Sequence, residues 1–481
     1  MSSQPHFLKR ARRRDTLPRS STVQLALRAP TRSRSSILIG SRSEGQVGLI
    51  DMLPDEVLLA IFDFGWDEDQ IAKKEIEAWQ SLVQVCRRWR GVVFASTRRL
   101  NLRLVCTPGT PATDTLDVWP PLPLFIRCYG DYTTKSVDNI VTVLRRSDRV
   151  CKIDLMYIPS SHLEKVSEAM QVPFPELTHL ELSSSDESVP VLPDSFLGGC
   201  APHLEFLWLN RIPFPALPNL LSSAAHLVQL YLINISHSGY ISPEAMVIAI
   251  STLTRLGALH LDFQSPRSRP DWASRRPPTP TRFVLPVLTN FLFKGVTEYL
   301  EDIVSCIDAP GLKYLDITFF NQILFDTPQF IQFISRTPTL KALEKARVSF
   351  AGGAARINLS SVTSDYGEVT VKIPCIELDW QVSALEQVCT SCLPALSTLD
   401  LYIYMDKVGY WQDNVENMLW LELLHPFTAV KTLYLSRQVA PRIVPALKEL
   451  VGDRTTEVLP TLDNIFLEGL QPSGLVQEGI E

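Results

Sequence analysis

Residues 204–209 read Leu-Glu-Phe-Leu-Trp-Leu, and residues 227–232 read Leu-Val-Gln-Leu-Tyr-Leu. Both put apolar side chains at the first, fourth and sixth positions, and the last two of these share one face of an extended strand. The same apolar-x-x-apolar-x-apolar pattern starts at Val150, Leu177, Leu204, Leu227, Leu256, Leu288, Leu312, Ile373, Leu396, Val430 and Leu462. A degenerate copy near Leu340 or Leu343 divides the long interval between Leu312 and Ile373. With that copy, the mean step is about 28 residues. A second regularity supports this register. Pro175, Pro202, Pro286, Pro310, Pro394 and Pro460 each stand two residues before a start, although Pro makes up only 35 of 481 residues. Pro at that point ends the preceding segment and admits a strand. Another apolar residue usually follows three residues past the motif, as at Ile158, Ile212, Ile235, Val296 and Leu470.

A unit this short cannot bury its apolar face alone. Stacked neighbours make one continuous core and align their strands in a parallel sheet. The expected class is therefore α/β, with parallel strands and helical or irregular returns. Two returns read as helices: Ser242–Leu253, with Ser242 capping and Pro243 in the first turn, and Val296–Ile307. A purely helical HEAT-type array would have a period of about 40 residues and no such strand motif. Period and motif resemble the leucine-rich repeat. The chain departs from it where Asn or Cys commonly stands, since those positions are mostly apolar here. The turns must then satisfy their backbone groups in another way.

Ahead of the array, residues 53–62 read Leu-Pro-Asp-Glu-Val-Leu-Leu-Ala-Ile-Phe, and residues 85–89 read Val-Cys-Arg-Arg-Trp. Pro54 suits the opening turn of a helix, where its missing N–H is not needed. Leu53, Val57 and Ile61 then fall on one face, with Leu58 and Phe62 beside them. Leu82, Val85, Cys86, Trp89, Val92 and Val93 mark one apolar face of a second helix. Glu75 and Glu77 near its start and Arg87, Arg88 and Arg90 near its end complement its dipole. Two such short helices form too small a core to stand alone.

The Leu-Pro-x-Glu opening and the Val-Cys-x-x-Trp ending resemble the F-box, the helical module that docks a protein on the Skp adaptor of a cullin-RING ubiquitin ligase. The departure is a longer acidic link beginning at Phe64–Gln70. The resemblance implies a substrate-recognition subunit of a Skp–cullin–F-box ligase with no chemistry of its own. It would hold the adaptor with one module and an unidentified protein target with the repeats. It implies Leu53, Pro54, Ile61, Val85 and Trp89 as adaptor-facing or supporting residues, with Leu58, Leu82 and Cys86 as further choices. The competing reading is a plain repeat scaffold whose first helices cap the array.

The fold expected is thus a short all-α F-box followed by an irregular leucine-rich-repeat solenoid. Its parts are a basic tail over 1–48, the F-box-like module over 49–95, a connecting segment and start of the solenoid over 96–149, the repeats over 150–470 and a tail over 471–481. The first tail holds ten Lys or Arg against Asp15 and Glu44. Its Ser, Arg and Pro content gives it no core, so it reads as disordered. Since the whole chain has a formal charge of −6, the remainder carries −14. An acidic body is not drawn to nucleic acid, which only the tail could contact. Lys9–Arg14 is a basic cluster of the nuclear-import type, so the expected location is the nucleus, the cytoplasm or both. No membrane association is expected, because no apolar run reaches spanning length.

Nine cysteines, odd in number and irregularly spaced, fit reduced thiols. Cys389 and Cys392 form a lone CxxC with no histidine nearby, read as two semi-buried residues before a strand, so no metal or other cofactor is expected. No catalytic motif is present, and the chain does not read as an enzyme. His179, His203, His226 and His260 read as strand-edge residues, while Glu298, Glu301 and Asp302 read as a solvated helix face. The basic, Pro-rich stretch Gln264–Arg282, with Trp272, reads as a surface insertion or a recognition loop for an acidic segment. Gly198-Gly199 reads as a helix end.

Overall fold

Eight of the repeats open on a hydrogen-bonded β-turn. Leu177 donates its N–H to Phe174 O at 3.2 Å, and the same bond joins Leu204 to Ala201, Leu227 to Ala224, Leu256 to Leu253, Leu288 to Leu285, Leu312 to Ala309, Val430 to Phe427 and Leu462 to Leu459. Pro175, Pro202, Pro286, Pro310 and Pro460 each take the second position of such a turn. There their φ is preset and no N–H is required. The prolines therefore build the turn as well as ending the preceding segment. The turn's first and fourth residues are anchored in the core, as with Phe174 (1 % exposed) and Leu177 (0 %).

The computed structural model describes residues 52–64, 78–109, 116–117, 119–130, 132–266, 282–320, 327–340, 343–361, 367–392, 398–405, 415–449 and 458–467. The chain divides into two compact units, one ending at Leu58 and the other running from Leu59 to Glu481. The helices are α1 (Asp55–Phe64), α2 (Ala78–Val85), α3 (Arg87–Ala95), α4 (Thr134–Leu144), α5 (Ser160–Ala169), α6 (Leu217–Leu221), α7 (Pro243–Ser251), α8 (Thr297–Cys306), α9 (Pro328–Arg336), α10 (Leu378–Cys392), α11 (Asn417–Leu424) and α12 (Ala440–Lys448). The strands are β1 (Leu104–Cys106), β2 (Leu124–Tyr129), β3 (Val150–Ile158), β4 (His179–Ser184), β5 (Phe206–Asn210), β6 (Gln229–Ile235), β7 (Ala258–Phe263), β8 (Phe283–Val284), β9 (Asn290–Gly295), β10 (Ile307–Asp308), β11 (Tyr314–Phe319), β12 (Lys345–Ala351), β13 (Ala354–Ser360), β14 (Glu368–Pro374), β15 (Asp400–Met405), β16 (Thr432–Leu435) and β17 (Asn464–Leu467).

The second unit is one long sheet in the order β1-β2-β3-β4-β5-β6-β7-β9-β11-β14-β13-β12-β15-β16-β17, with β8 and β10 paired separately. Pairing is parallel except at β12–β13 and β13–β14. Leu180, Leu207, Leu230, Leu259, Phe291, Leu315 and Val369 stand in register across seven adjoining strands. Each is at most 1 % exposed. Alternate residues face outward, as the period of two requires. The fold is α/β and leucine-rich-repeat-like, with helical returns where Ser242 and Val296 announced them. Ser242 Oγ accepts the Ala245 N–H at 3.2 Å.

Three readings change around residue 373. Val369, Val371 and Ile373 point inward from β14, Ile376 is 78 % exposed and Leu378 opens α10, so no repeat starts at Ile373. The repeat between starts at Leu343, whose partners Ala346 and Val348 face the core from β12. Leu401 and Ile403 stand opposite Ala346 and Val348, and Leu399 is 39 % exposed, so the later repeat starts at Thr398 rather than Leu396. The antiparallel hairpin of β12 and β13, turning at Gly352-Gly353, is an insertion in the array.

The acidic face of α8 is also different from expectation. Glu301 and Asp302 are buried, at 7 % and 6 % exposure. Glu301 accepts backbone N–H bonds from Gln329 at 2.9 Å and Phe330 at 2.8 Å. It therefore caps α9 of the next repeat, whose own flanking Thr327 supplies no side-chain cap. At the other end of α9, Arg336 reaches back to Asp308 Oδ1 at 2.8 Å and to Val304 O at 3.1 Å. Gly198 and Gly199 close a short 3-10 turn at φ +66° and +72°, and a Cβ on Gly198 would meet Pro173 at 2.8 Å.

Candidate protein-docking face

Helix α1 begins as its sequence requires. The carbonyl of Pro54 accepts the N–H groups of Val57 and Leu58, both at 3.1 Å, and Asp55 and Glu56 occupy the positive first turn. Leu53 is half-buried and Pro54 is exposed. Leu58 is 1 % exposed, so it belongs to the protein's own packing and presents no surface. Val57 and Ile61 are 41 % and 51 % exposed.

The second segment is not one helix. It breaks at Cys86, which is extended at φ −155° and ψ 171° and separates α2 from α3. The Cys86 Sγ accepts the Trp89 N–H at 3.4 Å, acting as the N-cap of α3. Arg90 Nε donates to Val83 O at 2.9 Å, covering one carbonyl freed by the break. The break rotates the expected face. Val83, Val92 and Val93 turn inward, while Val85 is left 59 % exposed and Leu82, Cys86 and Trp89 are half-buried. Trp89 packs its ring 4.9 Å from Phe62. This contact brings the end of α1 to the start of α3. Ile61 precedes Phe62 in the chain, and Val85 precedes the capping Cys86. The linking residues 65–77, with Glu75 and Glu77, lie outside the described residues.

Trp79, which the helical spacing did not single out, is the anchor of this region. It is 0 % exposed, meets Trp119 edge-on at 5.1 Å and donates its indole N–H to Arg103 O at 3.1 Å. Trp-Gln at the head of the second apolar run was the available clue, since a buried Trp needs both bulk around it and one acceptor.

Residues 50–103 match the F-box-like family model. The chain carries an F-box-like domain. The match ends at the residue whose carbonyl receives the Trp79 indole, so the F-box-like span includes its own core anchor. No curated protein matches the chain. Among solved structures, the leucine-rich repeat-containing protein LegL7 from Legionella pneumophila matches at 9 % identity, covering 76 % of this chain and 90 % of that chain with a TM-score of 0.26.

Behind the F-box-like domain, the outer face of the sheet changes character along its length. Over β2, β3 and β4 its polar side chains pair: Arg127 lies 3.8 Å from Asp154, and His179 hydrogen-bonds Glu181 at 2.5 Å, the Asp154 carboxylate also accepting from Tyr129. Burial raises the Asp154 pKa, against the lowering by Tyr129 and Arg127. His179 lies flat on Phe206 at 4.1 Å, and burial lowers the pKa of His260 on β7. Both are strand residues of the outer face, while His203 and His226 stack on each other at 5.9 Å. Farther on, Tyr402, Tyr434 and Phe466 form a stacked ladder at 4.2 Å and 5.1 Å.

Cys389 is fully buried rather than semi-buried, and the CxxC closes helix α10 ahead of strand β15. Among the described residues, no group of three or more His, Cys, Asp or Glu could hold a metal ion, and no helix is long and apolar enough to cross a membrane. Residues 267–281 of the basic loop lie outside the described residues.

Proposed function

We propose that the chain is the substrate-recognition subunit of a Skp–cullin–F-box ubiquitin ligase, joining the Skp adaptor through residues 50–103 to a protein target on the repeat sheet. The carrying observation is that the F-box-like domain leaves the large apolar side chains of Ile61 and Val85 more than half exposed. Scattered exposed apolar residues are ordinary, but these two lie within the span that matches a docking module. Such a subunit works by raising the target's effective concentration at the transfer machinery and requires no catalytic groups of its own. The basic run Lys9–Arg14 supports action in the nucleus or cytoplasm. Capture of purified Skp adaptor by the full chain, lost on deleting residues 50–103 while the repeat domain keeps its circular dichroism, tests the reading. A chain that never captures the adaptor is instead a repeat scaffold.

A further inference from the structure

The hairpin inserted in the array and its neighbour β14 carry three outward cations in close register. Arg356 on β13 stands directly opposite Lys372 on β14, while Arg347 on β12 stands opposite Asn358, one step along β13 from Arg356. Their chain neighbours Ala346, Val348, Ala355, Ile357, Val371 and Ile373 are all 0 % exposed, which fixes the three cations on the outer face. Like charges directly opposed across strands are destabilising. Other cations on this face are matched by a carboxylate, as at Arg127 with Asp154 and Lys294 with Asp262 at 3.0 Å. Among the described residues, no carboxylate lies within ion-pair distance of Arg347, Arg356 or Lys372. On the outer faces of β12, β13, β14 and β15 the cations Lys345, Arg347, Arg356 and Lys372 outnumber the carboxylates Glu368 and Asp400, leaving a net positive patch on a body of net charge −14 that an anionic partner would relieve.

The patch continues into an aromatic surface. Arg347 lies over the Tyr404 ring at 5.9 Å, Tyr402 and Tyr404 are parallel at 6.3 Å, and the ladder runs on through Tyr434 to Phe466, which is 51 % exposed. We propose that β14, β13, β12, β15, β16 and β17 together form a docking surface for an extended, carboxylate-rich protein segment with an aromatic or aliphatic anchor. Its Asp and Glu side chains would meet Lys372, Arg356 and Arg347, and its anchor the tyrosine ladder. The cations are spread over three adjacent strands, so an extended segment crossing them can meet all three with carboxylates on one of its faces. Tyr402 and Tyr434 turn their faces on each other, 4° from parallel, leaving no slot for a nucleobase between them. This deepens the proposed function, and rests on it only in naming the bound segment a ligase target.

The test is fluorescence anisotropy of the full chain with a short fluorescein-labelled peptide of Glu and Asp around one Phe, and with its Gln and Asn counterpart. The acidic peptide should bind and weaken with salt, and the neutral one should not. Arg347→Gln, Arg356→Gln and Lys372→Gln together should weaken binding by about tenfold or more. Arg356→Gln alone should leave the melting temperature unchanged or raised, because it removes an opposed like charge. Equal binding of the two peptides, an unaffected triple variant, or preferential binding of a single-stranded oligouridylate lost in that variant would each overturn the proposal. Adaptor capture by the triple variant should equal that of the wild type. A wild-type chain that captures the adaptor but binds no acidic peptide sinks this surface alone, and one that binds the peptide but captures no adaptor sinks only the ligase assignment.

Discussion

Replacing Glu301 tests whether the repeats are locked to one another by polar bonds as well as by leucine stacking. Its carboxylate is 7 % exposed and holds two backbone N–H groups of α9, at 2.9 Å and 2.8 Å. Pro328 leads the helix and has no N–H to satisfy, so these two amides are the ones that need a partner. A charge-assisted bond contributes about 1.5–3 kcal/mol net, and a lost cap costs about 1 kcal/mol, so Glu301→Ala should cost about 3 kcal/mol. Glu301→Gln keeps one acceptor and sets an amide N–H against the second donor, so it should cost about half as much or more, but less than the alanine. Amide hydrogen exchange reads this locally. About 3 kcal/mol is a factor of about a hundred in the local opening equilibrium, so Gln329 and Phe330 should exchange about a hundredfold faster in Glu301→Ala. Urea unfolding followed by circular dichroism should show the same order of variants. Wild-type exchange at both amides with an unchanged urea midpoint would refute the capping role.

Three further outcomes follow from single residues. Burial pushes the Cys106 thiol up to about 11, so it stays protonated near neutral pH. An aromatic disulfide reagent at pH 8 should label the exposed Cys200 and leave Cys106 untouched until the protein unfolds. Because that folded value lies above the ordinary thiol range, the stability tied to protonated Cys106 is complete at neutral pH. It should decline as pH rises from about 9 towards 11, which alkaline thermal melts would show. Pro175→Ala should destabilise by about 0.4–1 kcal/mol through the freer unfolded chain, measurable as a lower urea midpoint. Trp79→Phe should cost about 1–2 kcal/mol, because Arg103 O loses its donor, and should be visible in equilibrium unfolding.

Much of this architecture was legible because a period of about 28 residues recurs with the same three buried positions. Leu204, Leu207 and Leu209 lie in the core as the spacing requires. The inserted hairpin was not legible from that period, since Val369, Val371 and Ile373 alternate like a repeat strand while the chain around them runs antiparallel. Gly352-Gly353 between alternating runs was the overlooked clue, for two such residues favour a hairpin turn. At the docking module, spacing alone could not reveal the break at Cys86. The side chains on either side continue the helical period, and only the backbone departs from it. Glu301 was misread because a buried carboxylate is recognised by its partners, and Gln329 and Phe330 lie a full repeat away. The opposed cations on the inserted hairpin were hidden for the same reason, since register across antiparallel strands sets them side by side.

The central claim is that the F-box-like domain presents Ile61 and Val85 to another subunit. With Ile61 51 % and Val85 59 % exposed, covering each one contributes about 1–2 kcal/mol, or about tenfold in affinity. Isothermal titration of the purified Skp adaptor into the full chain measures this directly. The wild type should bind, and Ile61→Asp with Val85→Asp should bind about a hundredfold more weakly with an unchanged dichroism spectrum. Equal affinity of the two proteins, or a wild-type chain that takes up no adaptor, would contradict the account.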